Sequence, residues 1–575
     1  MKKNLFFALA ALSFAACDKS NEFDSPVHNG EVEESYIAIN LMSADKGGTR
    51  AATDTYGYEE GTAAERAIKT AYFFFFDENG AAFNVTQSAP GGEKNHLQLT
   101  ISDLSTSGMP NVSDIKDAVL ILSTYKGVYP SKIVAVLNWT PDDKPYTLNE
   151  LHGVVNNSLG NDNDGYVMSN SVYVDGANKV VDATPLTAAN IKKSANEALT
   201  APVNIYVERT AAKVVLTASG KGENSDNIFN TQKSSTLVTL HGGTSTIDVY
   251  VKLHGWELYN DYSTTSLLKN IDAKWDISTL GLTWNDIPYY RCYWAESQNT
   301  PHNDNFAWEY NASEQATRGF LTAYGFNVAS NTNYTDRTTY TFCGENTNQV
   351  VNTGGVITSD PRTKVILKGQ LMKKTGENYE PLALARWYGT EYAGEHALRT
   401  AVANSLQHTL FFYDEVTHTY TSIYPDDIEC VIGTTGAEAY EVGFRLSTPG
   451  QAKTWYQYSS ESGYQMKGST ETNITETNSY LATVEPALVY ANGQTYYYID
   501  IEHLGTAGAK YGVIRNHVYQ IDIKSIKGYG SPVFSGFSNI VTPPVYPEDG
   551  ESSYVAARIN VLSWKVVKQG VDIQP

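Results

Sequence analysis

Side chains able to do chemistry are few in this 575-residue chain, and their spacing does not assemble a catalytic set. The eleven histidines are scattered without an i, i+4 pair. No G-x-S-x-G elbow, H-E-x-x-H helix, Walker A loop or dinucleotide fingerprint occurs. Behind Cys17, the thiols are Cys292, Cys343 and Cys430, an odd number without zinc-type spacing. At most one disulfide can form among these three, and their expected state is that of buried small hydrophobes. The loop G-N-D-N-D-G at 160–165 looks like a calcium loop. An EF-type register would put Gly160 at the first ligand position, and no glutamate stands six residues after Gly165, so a solvated turn is expected. Asp426-Asp427 reads as another solvated turn. Arg515-Asn516-His517 reads as a turn leading into a strand, its side chains satisfying nearby backbone groups. The expectation is no catalytic residues, no metal site and no cofactor.

Two residues suit covalent processing instead. Residues 1–17 carry the parts of an export signal: Lys2-Lys3, an apolar run over 5–14, then small residues. The run is too short to span a bilayer as a mature helix. Ala15-Ala16-Cys17 matches a bacterial lipobox, in which the cysteine becomes the acylated first residue, so Cys17 is the expected lipidation site. An ordinary secretory signal ending near Cys17 is the alternative. Residues 18–34 are polar and acidic, with Pro26 and Gly30, and read as a tether. Arg50 lies in Gly47-Gly48-Thr49-Arg50-Ala51-Ala52-Thr53, a run of small residues that a protease can bind extended. Taken alone, such an arginine is more plainly a surface turn.

Strands must position whatever function exists. Between Cys17 and Arg50, residues 36–42 alternate, with Ile37, Ile39 and Leu41 on one face. Apolar runs at 68–76, 118–123 and 133–139 read as buried strands. The stretch 203–216 reads as two strands with a turn or bulge at Glu208-Arg209. Residues 188–199 suggest one short helix, and 382–406 a helical insertion. Residues 495–503 place Tyr497, Ile499 and Ile501 inward and are expected to pair with the strand after Arg515. That strand alternates over 518–525. After a Pro-containing connector, the last strand runs over 555–567. Val555, Ala557, Ile559 and Val561 share one face, and the apolar set then switches parity to Leu562, Trp564 and Val566, which suggests a bulge or a change of partner.

The run 511–527 and the closing I-N-V-L-S-W-K-V at 559–566 resemble the C-terminal end of Mfa-type fimbrillins, shaft subunits of the short fimbriae of Bacteroidales. The strand ending Y-F-F-F-F at 72–76, Y-V-M-S-N-S at 166–171 and V-E-R-x-x-A-K-V at 207–214 add to the resemblance, in the same order along the chain. It implies an all-β fold of two transthyretin-like β-sandwich domains with Greek-key connections, with some helical insertion in the second. The expected divisions are a lipoprotein signal at 1–17, a propeptide at 18–50, an N-terminal domain at 51–218 and a C-terminal domain at 219–575. A boundary near Ser219-Gly220-Lys221-Gly222 fits the shift to flexible composition there. The resemblance further implies cleavage between Arg50 and Ala51 by an Arg-specific protease, which removes the strand holding Ile37, Ile39 and Leu41. Polymerisation by strand donation would follow, with 555–567 as donor. Implied partners are identical subunits in a head-to-tail filament, fimbrial tip and anchor proteins, and a lipid anchor in the precursor. The implied location is a surface fimbrium reached from an outer-membrane lipoprotein precursor.

Bulk properties agree with this class. The chain is too long for one core. Forty tyrosines, 44 glycines and only 18% charged residues favour β structure with polar turns. A formal net charge of −21 lacks the basic footprint that nucleic acid demands. The rival reading is a monomeric surface lipoprotein that binds glycan or a host ligand, or a fimbrial anchor subunit. An N-terminus at Ala51 rather than Cys17 separates it from the first.

Overall fold

The computed structural model describes residues 32–43, 62–86, 94–100, 105–107, 115–156, 158–171, 173–174, 180–220, 227–259, 265–270, 340–348, 351–353, 356–359, 361–432, 441–503, 511–532, 534, 554–562 and 568–570. Among them the chain is all-β, with short helices between strands, as expected.

One sheet holds β1 (Val32–Ser43), β2 (Thr70–Phe76), β3 (His96–Thr100), β4 (Ser105–Ser107), β5 (Ile115–Tyr125), β6 (Lys132–Leu137), β7 (Met168–Asn170) and β8 (Val203–Arg209). Their spatial order is β3-β2-β6-β7-β8-β1-β5-β4. The unbroken phenylalanine run makes β2 a strand buried on both faces, which is why it shows no alternation of polarity. Phe73 and Phe75 enter one core with Leu120, Leu122, Ile133 and Ile205, while Phe74 and Phe76 enter another with Val134, Tyr146 and Leu151. The first core gathers β2 and β5 from opposite parts of the sheet order, so the sheet curls over on itself. A bridge between Thr86 and Ser123 helps to close it. Short helices attach here, among them α1 (Ala63–Arg66), Leu148–His152 and α2 (Ala195–Leu199).

The chain leaves this sheet at Thr210, after the Glu208-Arg209 step noted in the sequence. One residue later, β9 (Ala211–Thr217) belongs to a different sheet. It is followed by β10 (Ile228–Val238), β11 (Thr244–Tyr259), β12 (Tyr340–Gly344) and β13 (Lys364–Thr375). Then come β14 (Leu410–Asp414), β15 (Thr419–Ser422), β16 (Trp455–Ser459) and β17 (Gly463–Met466), which form a separate four-stranded sheet. The last strands are β18 (Gln494–Asp500), β19 (Val518–Lys527), β20 (Tyr554–Leu562) and β21 (Lys568–Gly570). A five-stranded sheet in the order β12-β9-β19-β20-β21 faces a larger sheet containing β10-β11-β13-β18. Val214, Leu216, Tyr519, Ile521 and Ile523 from one meet Val249, Val251, Leu367, Tyr497 and Ile499 from the other in one core. That is sheet-on-sheet packing with alternate residues turned inward.

Three sequence expectations change. Residues 382–406 are helical only in α3 (Glu395–Leu406). Leu384–Trp387 and Thr390–Tyr392 form a hairpin whose turn residues Tyr388 and Gly389 have φ of 46° and 72°. A two-residue turn with both φ positive matches strand twist, and it overrode helix propensity here. Residues 188–199 form a 3-10 turn at Ala188–Asn190 and the separate α2 rather than one helix. Finally, β18 pairs with β13 and Ser531–Pro532, not with β19. The two strands lie in opposite layers of the same sandwich, and alternation alone cannot tell a neighbour in one sheet from a partner across the core.

Candidate functional site

The site of interest is the place of β1 in the first sheet. Its sequence alternates, and its two sides are both occupied. On one side it runs antiparallel to β5, from Val32 opposite Tyr125 to Leu41 opposite Lys116. On the other it runs parallel to β8, from Ile39 opposite Val203 to Ser43 opposite Val207. Ahead of that stretch, Tyr36 and Lys192 exchange N–H to carbonyl bonds of 2.8 and 2.9 Å. Ile37 is fully buried in the core with Phe73, Leu120 and Ile205, and Ala38 is buried beside it. Burying an isoleucine contributes roughly 1.5–3 kcal/mol. The strand is therefore an interior strand. Without it, the sheet would divide into β3-β2-β6-β7-β8 and β5-β4, and β5 and β8 would each present an unpaired edge.

The chain on the C-terminal side of this strand is anchored separately. In α1, Thr62 and Glu65 form a capping box, each backbone N–H donating to the other's side chain at 3.1 Å. The second carboxylate oxygen of Glu65 accepts from the Lys213 ammonium at 2.7 Å, with side chains 1% and 3% exposed. Its carbonyl accepts from Arg209 Nε at 2.7 Å. Lys213 also lies 4.0 Å from the centre of the Tyr340 ring, a cation–π contact. Since β8 ends at Arg209 and β9 begins at Ala211, α1 is fastened where the chain passes from one sheet to the other.

The Arg515-Asn516-His517 turn meets the same junction. Arg515 is fully buried and donates through Nε to Glu345 at 2.9 Å. Its other nitrogens reach the carbonyls of Leu267 and Ser266 at 3.2 and 2.8 Å and the Thr265 hydroxyl at 3.2 Å. Asn516, at φ 57°, accepts from Arg209 Nη1 at 3.2 Å. The turn thus satisfies backbone groups, as its sequence suggested, and it adds a buried ion pair that no sequence signal announced. Next to the junction, Ser219 and Gly220 are tightly held rather than loose. Gly220 donates to Ile523, and a Cβ there would stand 1.5 Å from the Lys524 carbonyl oxygen. Asp522 accepts from Thr217 and Ser219. Burial pushes the Asp522 carboxyl up, but hydrogen bonds from Lys524, Ser219 and Thr217 outweigh it and hold the group below its usual value.

Other sequence candidates resolve locally. The 160–165 loop is a hairpin turn in which the Asn161 side chain accepts from the N–H groups of Asn163 and Asp164 and donates to the Asp164 carboxylate. No cluster of three metal-ligating side chains occurs among the described residues. Asp426 is exposed, but Asp427 is not a solvated turn residue. It is 2% exposed and paired with Lys453 at 2.6 Å, and the Ser447 turn packs on it, the Ser447 N–H donating to the Asp427 carbonyl at 2.9 Å. Cys343 and Cys430 are buried thiols in different cores, and burial pushes the Cys430 thiol far up. Cys17, Arg50, Ala51, Cys292, Trp564 and Val566 lie outside the described residues.

The terminal strand β20 pairs antiparallel with β19, from Val518 opposite Leu562 to Lys527 opposite Tyr554. Val555, Ala557, Ile559 and Val561 thus have backbone partners in Ile526, Ile523, Ile521 and Tyr519. A register shift falls between Ile523 and Ser525, so the bulge sits on the partner strand rather than at Leu562. Among the described residues, β20 meets on its outer side only the three-residue β21.

Residues 488–570 match the family of the major fimbrial subunit protein type IV, the fimbrillin C-terminal region. No curated protein matches the chain. Among solved structures it is similar to a fimbrilin from Porphyromonas gingivalis, at 12% identity and a TM-score of 0.35, covering 94% of this chain and 98% of that one. A C-terminally truncated tip fimbrial protein from the same organism aligns at 11% identity and a TM-score of 0.27, over 92% and 99%. A fimbrial assembly protein from Parabacteroides distasonis aligns at 10% and 0.27, over 76% and 100%. The family match does bear out the resemblance noted at 511–527 and 559–566.

Proposed function

We propose, from the premise that residues 488–570 form a fimbrillin C-terminal region, that this chain is a structural subunit of a cell-surface fimbria, assembled by strand donation and supporting adhesion. In this reading the chain is exported as a precursor acylated at Cys17 and held at the outer membrane. An Arg-specific protease cuts between Arg50 and Ala51, β1 leaves, and a strand from a neighbouring subunit enters the opened slot. The observation that carries the proposal is the interior position of β1, directly upstream of Arg50 and between β5 and β8. Losing an interior strand exposes two unpaired edges and the pocket of Ile37, which is a strong demand for a replacement.

The donor in this reading is the segment 555–567. Its apolar residues Val555, Ala557, Ile559, Val561, Leu562, Trp564 and Val566 offer several side chains, the larger ones worth roughly 1.5–3 kcal/mol each when buried. Donation would require β20 to leave β19, and its outer place in the sheet makes that exchange local. Contacts of this head-to-tail kind do not close, so they propagate a filament. Tip and anchor proteins would occupy its ends.

The test is the Arg50→Ala chain together with N-terminal sequencing of material sheared from cells. Sheared wild-type protein should begin at Ala51, and the variant should remain monomeric with β1 in place. Normal filaments from Arg50→Ala would overturn the proposal. Wild-type protein that keeps Cys17 would favour an anchored, monomeric role.

A further inference from the structure

The four-stranded sheet β14–β17 has two unlike faces. Leu410, Phe412 and Trp455 point inward and join a core with α3. The opposite parity places Phe411, Tyr413, Tyr420, Tyr456, Tyr458 and Tyr464 together on the outer face, as the strand registers require. Half-buried sheets ordinarily turn polar residues outward. Here each of the four strands turns an aromatic residue outward, and six of the eight outer positions are aromatic, Ser422 and Met466 being the others.

Those rings form a connected row. Tyr420 and Tyr464 come from the two edge strands, lean over the sheet and stack at 3.8 Å with planes 6° apart. Tyr413 stands 5.3 Å from Tyr420 at one end, and Tyr458 stands 4.9 Å from Tyr464 at the other. Phe411 and Tyr456 support the pair from the inner strands by edge-on contacts of 5.0 Å each. Tyr420, Tyr458 and Tyr464 nevertheless remain 36%, 39% and 37% exposed. Cross-strand aromatic pairing accounts for the stability of a small sheet. It does not account for leaving so much ring surface and so many phenol groups in water.

We infer that this tyrosine row is a binding face for a neutral oligosaccharide. Size excludes a stable protein partner. Four strands about 4.8 Å apart, each giving two outward residues about 6.6 Å apart, make a face of roughly 250 Å², against about 800 Å² per partner in a stable protein contact. Charge disfavours a polyanion, because the molecule carries −21. An extended peptide would add to a strand edge rather than lie on a face. A neutral sugar chain meets none of these obstacles. The C–H side of a pyranose is apolar and stacks on ring surfaces, and its hydroxyls hydrogen-bond to the phenol groups of the row. The inference is independent of filament assembly, since it needs neither β1 nor β20.

The experiment applies the full chain to an array of neutral and anionic oligosaccharides. The doubly substituted Tyr420→Ser/Tyr464→Ser and Tyr420→Phe/Tyr464→Phe chains are tested alongside, with Tyr458→Ser at the rim as the variant least able to disturb folding. Neutral glycans should be bound, with at least a tenfold loss in the double serine chain, a clear loss in Tyr458→Ser and partial retention in the phenylalanine chain. The inference is overturned if no neutral glycan is bound, if only anionic ones are, or if Tyr458→Ser and the double serine chain bind as wild type. Self-association that the same substitutions abolish would also overturn it, in favour of a second copy.

Discussion

At the residue scale, the decisive group is a carboxylate that carries no motif. Glu65 uses one oxygen to close the capping box of α1 and the other to neutralise Lys213, both deep in the protein. Removing one partner of a buried pair leaves the other charge stranded, which costs more than the pair's net worth. Glu65→Gln keeps the shape and a cap acceptor but leaves the Lys213 ammonium facing Tyr340 alone. It should cost about 3 kcal/mol in urea unfolding. Glu65→Gln combined with Lys213→Met should recover most of that loss, since the stranded charge is then gone. Strictly additive losses in the double variant would show that the two side chains act separately. Sequence reading passed over Glu65 and met Lys213 only as part of the 207–214 motif, because ion pairs between positions 65 and 213 have no local signature.

At the element scale, the two strands assigned to assembly occupy unlike places. β1 is interior to its sheet, with neighbours on both sides, so its loss creates a vacancy. β20 lies toward the outside, and Tyr519, Ile521 and Ile523 of β19 are also held by β9 and by the core across the sandwich. A chain ending before Tyr554 should therefore still melt cooperatively as a monomer, a few degrees lower than the full chain, because it loses one edge ladder and not a core layer. After cleavage at Arg50 it should not polymerise. Fibres seen by electron microscopy from the truncated chain would remove 555–567 from the role of donor. Broad, non-cooperative melting would show instead that β20 is a required part of its own domain.

For the whole molecule, charge and junction matter most. In the proposed filament, cleaved chains would carry −19, the precursor's −21 less the net −2 of residues 1–50, and would repel each other at long range, whatever grips them at contact. The Debye length falls from about 30 Å at 0.01 M salt to about 8 Å at 0.15 M. Polymerisation of cleaved subunits, followed by light scattering, should therefore speed up several-fold over that interval. Slowing with added salt would mean that attraction between charged patches drives encounter. Within the molecule, the passage between the sheets is stiffened by α1, Arg209, Arg515 and Glu345, which meet around Thr210. A pull on one sheet is thereby carried to the other through buried, hydrogen-bonded charge rather than through a loose linker.

Composition and period already favoured β structure, because polarity alternation over residues such as 36–42 and 518–525 is a local property of a pleated chain. They also marked 203–216 as two strands with a break, which the structure places at Thr210. Partner choice was another matter. Alternation at β18 could not say whether β13 or β19 lay beside it, since residues across a sandwich and residues along a sheet obey the same pattern. Helix propensity at 382–394 lost to a turn at Tyr388-Gly389 that only strand pairing rewards. Most of all, the sequence of β1 shows that it buries one face, but not that it is threaded between β5 and β8. That position depends on pairings made from 75 to more than 160 residues away, and only the closed tertiary structure fixes which edges are left to be filled.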